Sequence, residues 1–280
     1  MKTHEHLYTP RPNAGWGLGV WREMIMEAFE SRELAWRLFI RDFSARYRQS
    51  ALGVLWAVIL PMIAVGTFVL LNSSGLLNVG ETSVPYPVYA LLGLTIWWLF
   101  AEGLVTASNS IVKGGSMVVK INFPKETLIF AATGEAVFGL LVRVVLLAVV
   151  LVIFQVAPKW TVVFFPFTLV PLLLLTVGLG FILSLLAVVV RDVANIVVLL
   201  TSFLMLLTPV VYPPPESGLL AVIMALNPLT GLVTAVRDMV FTGYLTDPFA
   251  FAWASVLAVA IFFFGWRAFH LGESRMAERV

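Results

Sequence analysis

Residues 41–56 read RDFSARYRQSALGVLW. Arg41, Asp42, Arg46 and Arg48 give way within a few residues to apolar sequence that carries no further charge until Glu81. Cations crowded against the start of a long apolar run mark the edge of a membrane span, because Lys and Arg collect in the flanks that stay on the cytoplasmic side. The composition of the whole chain agrees. Of 280 residues, 60% are apolar and 12% are charged, where a soluble domain carries about 25% charged residues. The chain therefore reads as an all-α integral membrane protein. It contains no cysteine, which removes disulfides and thiolate metal sites.

A helix needs about 20 apolar residues to cross the hydrocarbon core. Six segments qualify, near 51–72, 87–107, 128–156, 161–190, 194–212 and 248–269. Each is continuously apolar rather than alternating, which favours helices over a barrel. Residues 1–50 precede the first span. With Glu5, Glu23, Glu27 and Glu30 among the first thirty residues and no continuous apolar core, they do not read as a signal peptide. Residues 271–280 form a short tail.

The loops orient the spans. Lys2, Arg11, Arg22, Arg32, Arg37, Arg41, Arg46 and Arg48 precede the first span. Lys113, Lys120 and Lys125 follow the second, Arg191 follows the fourth, and Arg267, Arg275 and Arg279 lie at the end of the sixth. Only Lys159 and Arg237 fall on the other side, so both termini are expected in the cytoplasm.

Two helices are expected before the first span. In one, Leu18, Trp21, Ile25 and Phe29 recur at helical spacing. In the other, Ser31 is a candidate N-cap and Trp36, Ile40, Phe43 and Tyr47 form an aromatic stripe beside the stripe of Arg37, Arg41 and Arg48. Such a helix lies in the membrane interface with its guanidinium groups at phosphate level. The arginines fix topology and touch ordinary lipid phosphates on one reading, with Asp42 and Arg46 paired on the surface. On the other they hold a phosphate of a lipid-linked substrate, which bidentate guanidinium geometry suits. Spacing alone leaves both open.

The loop 108–127, SNSIVKGGSMVVKINFPKET, has room for a short helix between Gly115 and Pro124 and is long enough to dock a cytoplasmic partner. After the fifth span, 208–241 opens with four prolines in seven residues, continues through a short apolar stretch, 219–226, and restarts at Asn227-Pro228, a cap and first-turn pair. Two short helices between spans predict a re-entrant hairpin over 213–241, which is tolerated where protein buries it or where it lines a cavity. Within the spans, Glu102, Glu135 and Arg143 are the ionisable residues. A mid-membrane arginine costs about 2.5–3.5 kcal/mol on insertion scales, so Arg143 must face protein or water. Glu135 and Arg143 are about 12 Å apart along one helix, too far for an easy mutual pair, which leaves a partner on another helix or a cavity-lining role.

No G-x-x-x-x-G-K-[ST] loop occurs, and Lys113-Gly114-Gly115-Ser116 has the wrong order. The histidines are His4, His6 and His270, no H-E-x-x-H is present, and no serine has a triad-like setting. Neither a catalytic set nor a metal site is expected. Uphill transport by this chain would draw its energy from a partner or an ion gradient.

Five ordered pieces, RDFSARYRQSALGVLWAVILP, INFPKE, VVVRD, TPVVYP and LNPLTGLVTAVRDMVF, resemble the permease subunit of type-2 ABC exporters, in the polysaccharide and polyol-phosphate branch. The similarity runs from about Arg41 to Phe269. It implies a homodimer, two ATP-binding cassette subunits that carry ATP and Mg, a lipid-linked polysaccharide as substrate, and no nucleic acid. O-antigen on an undecaprenyl pyrophosphate carrier is the leading expectation, exported across the bacterial inner membrane, with capsular polysaccharide or teichoic acid as the alternative. The resemblance places Arg41, Arg46, Arg48, Leu52 and Gly53 where the lipid-linked substrate is admitted. It places Ile121, Asn122, Phe123, Pro124, Lys125 and Glu126 at the coupling contact with the ATPase, and Pro213, Asn227, Pro228 and Arg237 in the outer gate. Tyr47, Trp56, Trp97, Trp98 and Phe100 become channel candidates by stacking on sugar. The rival from another class is a membrane enzyme acting on lipid-linked sugars, which would need paired carboxylates at a membrane face. Asp42, Asp192, Asp238 and Asp247 are instead scattered over both sides.

Overall fold

A computed structural model describes residues 17–48, 50–77 and 79–276, and among them the regular structure is helical. α1 (Leu18–Glu30) and α2 (Arg32–Tyr47) come first. α3 (Trp56–Ser73), α4 (Tyr86–Lys120), α5 (Glu126–Ile153), α6 (Phe165–Val189) and α10 (Pro248–Met276) are the long helices. α7 (Val193–Leu206), α8 (Leu219–Leu226) and α9 (Pro228–Phe241) are short.

Five segments are long and apolar enough to cross a membrane: Gly53–Ser73, Tyr86–Gly115, Glu126–Ile153, Trp160–Val189 and Pro248–Glu273. They coincide with five of the six expected spans. The remaining expectation, 194–212, is corrected in length. α7 has 14 residues, which is ~21 Å, and it stops because the residue before Pro209 is pushed out of the helical region. The last carbonyls of a helix have no partner within it, and here side chains supply the donors. Tyr212 donates its hydroxyl to the Leu206 carbonyl and Asn227 Nδ2 donates to that of Leu207 (2.9 Å), while just beyond the helix the Arg237 guanidinium donates to the carbonyls of Pro209 (3.0 Å) and Val210 (2.7 Å). An apolar helix can therefore end at depth without orphaned backbone.

α4, α6 and α10 run in the same direction. A Cβ on Gly103 would touch Thr176, one on Gly180 would touch Ala107, and one on Gly178 would strike the Phe262 backbone at 2.6 Å. Small residues of this kind let membrane helices approach backbone to backbone. α5 runs the other way, since Thr106 of α4 donates to the Ala132 carbonyl and Glu102 of α4 meets Arg143. The hydroxyls of Thr95, Thr176 and Thr201 turn back onto the carbonyls four residues earlier in their own helices, which satisfies them locally.

Trp21 of α1 packs edge-on against Phe263 and Trp266 of α10, at 5.3 and 6.4 Å. The N-terminal helices and the last turns of α10 thus share one end of the bundle, here the basic end. α8 and α9 meet at 82° and belong to the opposite, far end. There Lys159 and Thr161, from the α5–α6 connection, bond to the carbonyls of Val240 and Met239, and Gly231 touches Ala250 at the start of α10. α10 therefore starts at the far end, as a hairpin requires.

The N-terminal helices use another face than the expected stripe. Val20 and Met24 of α1, and Leu38 and Phe39 of α2, are buried, whereas Phe29, Trp36 and Ile40 are exposed. Phe39 lies over Gly134 and Phe43 meets Phe138 at 4.5 Å, so α2 rests on α5 with Trp36 and Ile40 turned away from it. Ser31 does occupy the N-cap position, but its hydroxyl bonds to the Ala28 carbonyl instead of capping. The expected short helix of the 108–127 loop is present as 116–120. It is set off from α4 by Gly115 at φ 41°, ψ −118°, a left-handed conformation that favours glycine.

Candidate functional site

The charges expected within the spans converge on one cleft between α2, α3, α4 and α5. It has two adjoining chambers that share Arg46 and Glu135. The chamber nearer mid-membrane measures about 340 Å³ and is lined by Arg46, Trp56, Trp98, Glu102, Glu135 and Arg143, among others. The chamber toward the basic end measures about 360 Å³ and includes Arg41, Asp42, Arg46, Lys113 and Glu135.

Two interhelical ion pairs organise the cleft. Arg46 of α2 pairs with Glu135 of α5, and Arg143 of α5 pairs with Glu102 of α4. Each mid-span charge has found a partner on another helix, the first of the two possibilities left by the sequence, and both also line a cavity. Asp42 pairs with Arg41 at 2.7 Å, not with Arg46, because Arg46 is drawn to Glu135. Gly139 makes room for the deeper pair: a Cβ there would lie 2.7 Å from Arg143 Nη2 and 3.3 Å from a Glu102 oxygen. The Arg143 guanidinium also lies 5.1 Å from the Trp98 ring centre.

The aromatic candidates divide. Trp56 and Trp98 line the deeper chamber, while Trp97 and Phe100, 5.6 Å apart, are buried in the core of the bundle. The Tyr47 side chain lies outside the described residues. Arg48 and Leu52 are exposed near the start of α3, and Gly53, at φ 51°, opens a 3-10 turn into it.

INFPKE also divides. Ile121 and Asn122 are exposed and Pro124 is half-buried. Phe123, Lys125 and Glu126 are buried. Lys125 reaches back over the Phe123 ring (4.1 Å) to the Ile121 carbonyl, and burial pushes its ammonium pKa down, opposed by the Glu273 carboxylate. Glu126 accepts from Trp266 Nε1 at 2.7 Å and meets His270 Nδ1 at 3.3 Å, while Glu273 accepts from the Lys125 amide at 3.0 Å. Glu126, His270 and Glu273 place ligand atoms within 4.8 Å of one another, a spacing open to a metal. Both carboxylates already hold protein donors, so the cluster acts as a hydrogen-bonded lock between the loop and α10. Nothing in the local sequence pointed to it, since its halves are about 140 residues apart.

In the α8–α9 pair, Asn227 caps α9, its oxygen accepting from the Leu229 amide at 3.0 Å, with Pro228 in the first turn. Pro213 is half-buried at the turn before α8. Arg237 is buried, 3.9 Å from the Tyr89 ring centre, and its bonds to Pro209 and Val210 make it a brace for the end of α7. Gly93 permits that brace, because a Cβ there would fall 1.8 Å from the Val210 oxygen.

Comparison with known proteins agrees with this architecture. The chain is 27% identical over 259 residues to the O-antigen export system permease protein RfbA of Myxococcus xanthus, covering 91% of this chain and 97% of that protein. It is 25% identical over 210 residues to the protein of the same name from Klebsiella pneumoniae, covering 73% and 79%. Residues 33–241, from α2 through α9, match the ABC-2 type transporter family model, and the chain belongs to that family.

Proposed function

We propose that the chain is the membrane-spanning subunit of an ATP-driven exporter that moves lipid-linked O-antigen outward across the bacterial inner membrane, with its basic end in the cytoplasm. The observation that carries this reading is the similarity to two O-antigen export permeases, nearly end to end with the one from Myxococcus xanthus and over 73% of the chain with the one from Klebsiella pneumoniae. Two copies form the conduit. ATP and Mg are held by two separate ATP-binding cassette subunits, which dock beneath Ile121 and Asn122. The buried Phe123, Lys125 and Glu126 pass the motion to α5 and α10.

The lipid phosphate is met at the basic end. Three cations, Arg41, Arg46 and Lys113, outnumber two carboxylates, Asp42 and Glu135, in the chamber there. Arg48, two residues past Arg46, is exposed and makes no ion pair among the described residues. The test is co-purification with the ATP-binding subunit encoded alongside, followed by ATP hydrolysis with and without diphospholipid-linked glycan. Glycan-dependent stimulation that falls in Arg48→Ala is the expected result. A chain that captures no ATPase would sink the proposal.

A further inference from the structure

The two chambers of the cleft differ in charge. Toward the basic end cations are in excess, but in the deeper chamber two guanidinium groups, Arg46 and Arg143, face two carboxylates, Glu102 and Glu135. An anion moved into a charge-balanced chamber at membrane depth would lose its hydration without gaining a net opposite charge, which is costly. A neutral ligand rich in hydroxyls meets no such penalty. It can accept from the guanidinium groups and donate to the carboxylates at once, since one side chain offers only donors and the other only acceptors.

Three further features fit a sugar ring. Arg143 is 5% exposed, and its Nη1 is buried with no hydrogen-bond acceptor among the described residues. This donor belongs to a side chain that lines the chamber. Trp56 and Trp98 supply broad aromatic surfaces that combine an apolar face with a polar edge. The volume, about 340 Å³, is near the lower bound of ~300–1,000 Å³ for small-molecule sites and far too small for a polymer.

We infer that the deeper chamber is a subsite for a single sugar ring, with Arg143, Glu102 and Glu135 bonding its hydroxyls and Trp98 and Trp56 packing on its apolar faces. The inference rests on the exporter reading for the class of substrate. It adds that each protomer holds a sugar within its own α2–α5 cleft. Glu135 and Arg143 are eight residues apart, ~12 Å along α5, so a sugar in the deeper chamber lies about one group's length beyond a phosphate held at the basic end. Arg46 and Glu135 form the wall between them.

The test uses the full-length chain alone in nanodiscs of phosphatidylethanolamine and phosphatidylglycerol. Two radiolabelled probes differ by one sugar: undecaprenyl diphosphate, and the same lipid carrying one N-acetylglucosamine. The glycosylated lipid is expected to bind about tenfold more tightly, the scale of one hydrogen bond to a charged group. That increment is expected to vanish in Arg143→Gln and Trp98→Leu, while both variants hold the bare lipid as the wild type does, which shows that they are folded. Equal binding of the two lipids by the wild type, or an increment that survives both substitutions, overturns the inference. If neither lipid binds, the exporter reading fails and the chamber is judged separately by saturation-transfer NMR with methyl N-acetylglucosaminide. Transfer that is lost in Trp98→Leu then upholds the sugar site, and no transfer to the wild type overturns it.

Discussion

Arg46, in the last turn of α2, and Glu135, in the third turn of α5, form an ion pair that ties the N-terminal helix α2 to a membrane span. The Glu135 side chain is 9% exposed and that of Arg46 47%. Arg46→Ala would strand a carboxylate in an apolar setting. A fully buried pair broken in this way costs about 3–5 kcal/mol; with one partner half-exposed and screened, about 1–3 kcal/mol is expected. Thermal unfolding in detergent should show Arg46→Ala plus Glu135→Ala costing less than the two single losses added together. Simple additivity would mean that the pair is not coupled.

Gly139 should be intolerant of even one methyl group. Gly139→Ala places a Cβ 2.7 Å from Arg143 Nη2, and overpacking of this sort costs about 1–3 kcal/mol. Gly134→Ala, whose Cβ would meet the Phe39 ring at 3.3 Å, is expected to cost less because a ring can tilt away. Melting temperatures of the two variants, measured side by side, decide this ranking.

Asn227→Ala removes the cap of α9 and the bonds to Leu207 and Thr208. Loss of a cap alone costs about 0.5–2 kcal/mol. Hydrogen exchange is expected to quicken at the Leu229 amide, which loses its acceptor, and along the end of α7. An effect confined to α9 would show that the brace to α7 is carried by Arg237 instead.

Surface and buried parts of INFPKE should separate in their phenotypes. Ile121→Ala is expected to lower the coupling of ATP hydrolysis to transport at unchanged melting temperature. Glu126→Gln should instead lower the melting temperature, by weakening charge-assisted bonds worth about 1.5–3 kcal/mol. Identical phenotypes would contradict the division.

Glu27 gives the α1 contact a pH dependence. Burial raises its carboxyl pKa above 4.5, with the His270 charge opposing and Glu126 adding to the rise. A folded-state pKa above the unfolded value means that docked α1 binds the proton more tightly, so the contribution is complete below pH 4.5 and is lost as pH rises through the folded value. Hydrogen exchange in α1 is therefore expected to speed up across that interval. Glu27→Gln should hold α1 in its protected state and flatten the dependence.

The sequence by itself determined the membrane class, the places of five spans with ends off by up to eight residues, the two short helices after the fifth and the cap at Asn227. These are local matters: a run of about 20 apolar residues has few alternatives in lipid, and a cap depends on neighbours two or three positions away. It also named most of the charges that line the cleft, since an ionisable residue in a span must find a partner or water. Only the tertiary structure decided the partners. Arg46 with Glu135, Arg143 with Glu102, and Glu126 with Trp266 and His270 are joined across helices by packing that no periodicity encodes. The same packing buried Trp97 and Phe100 while leaving Trp98 at the cleft, because neighbours on a helix face directions about 100° apart. It shortened α7 as well, since a helix can end inside a membrane only where side chains such as Tyr212 and the distant Asn227 reach its last carbonyls.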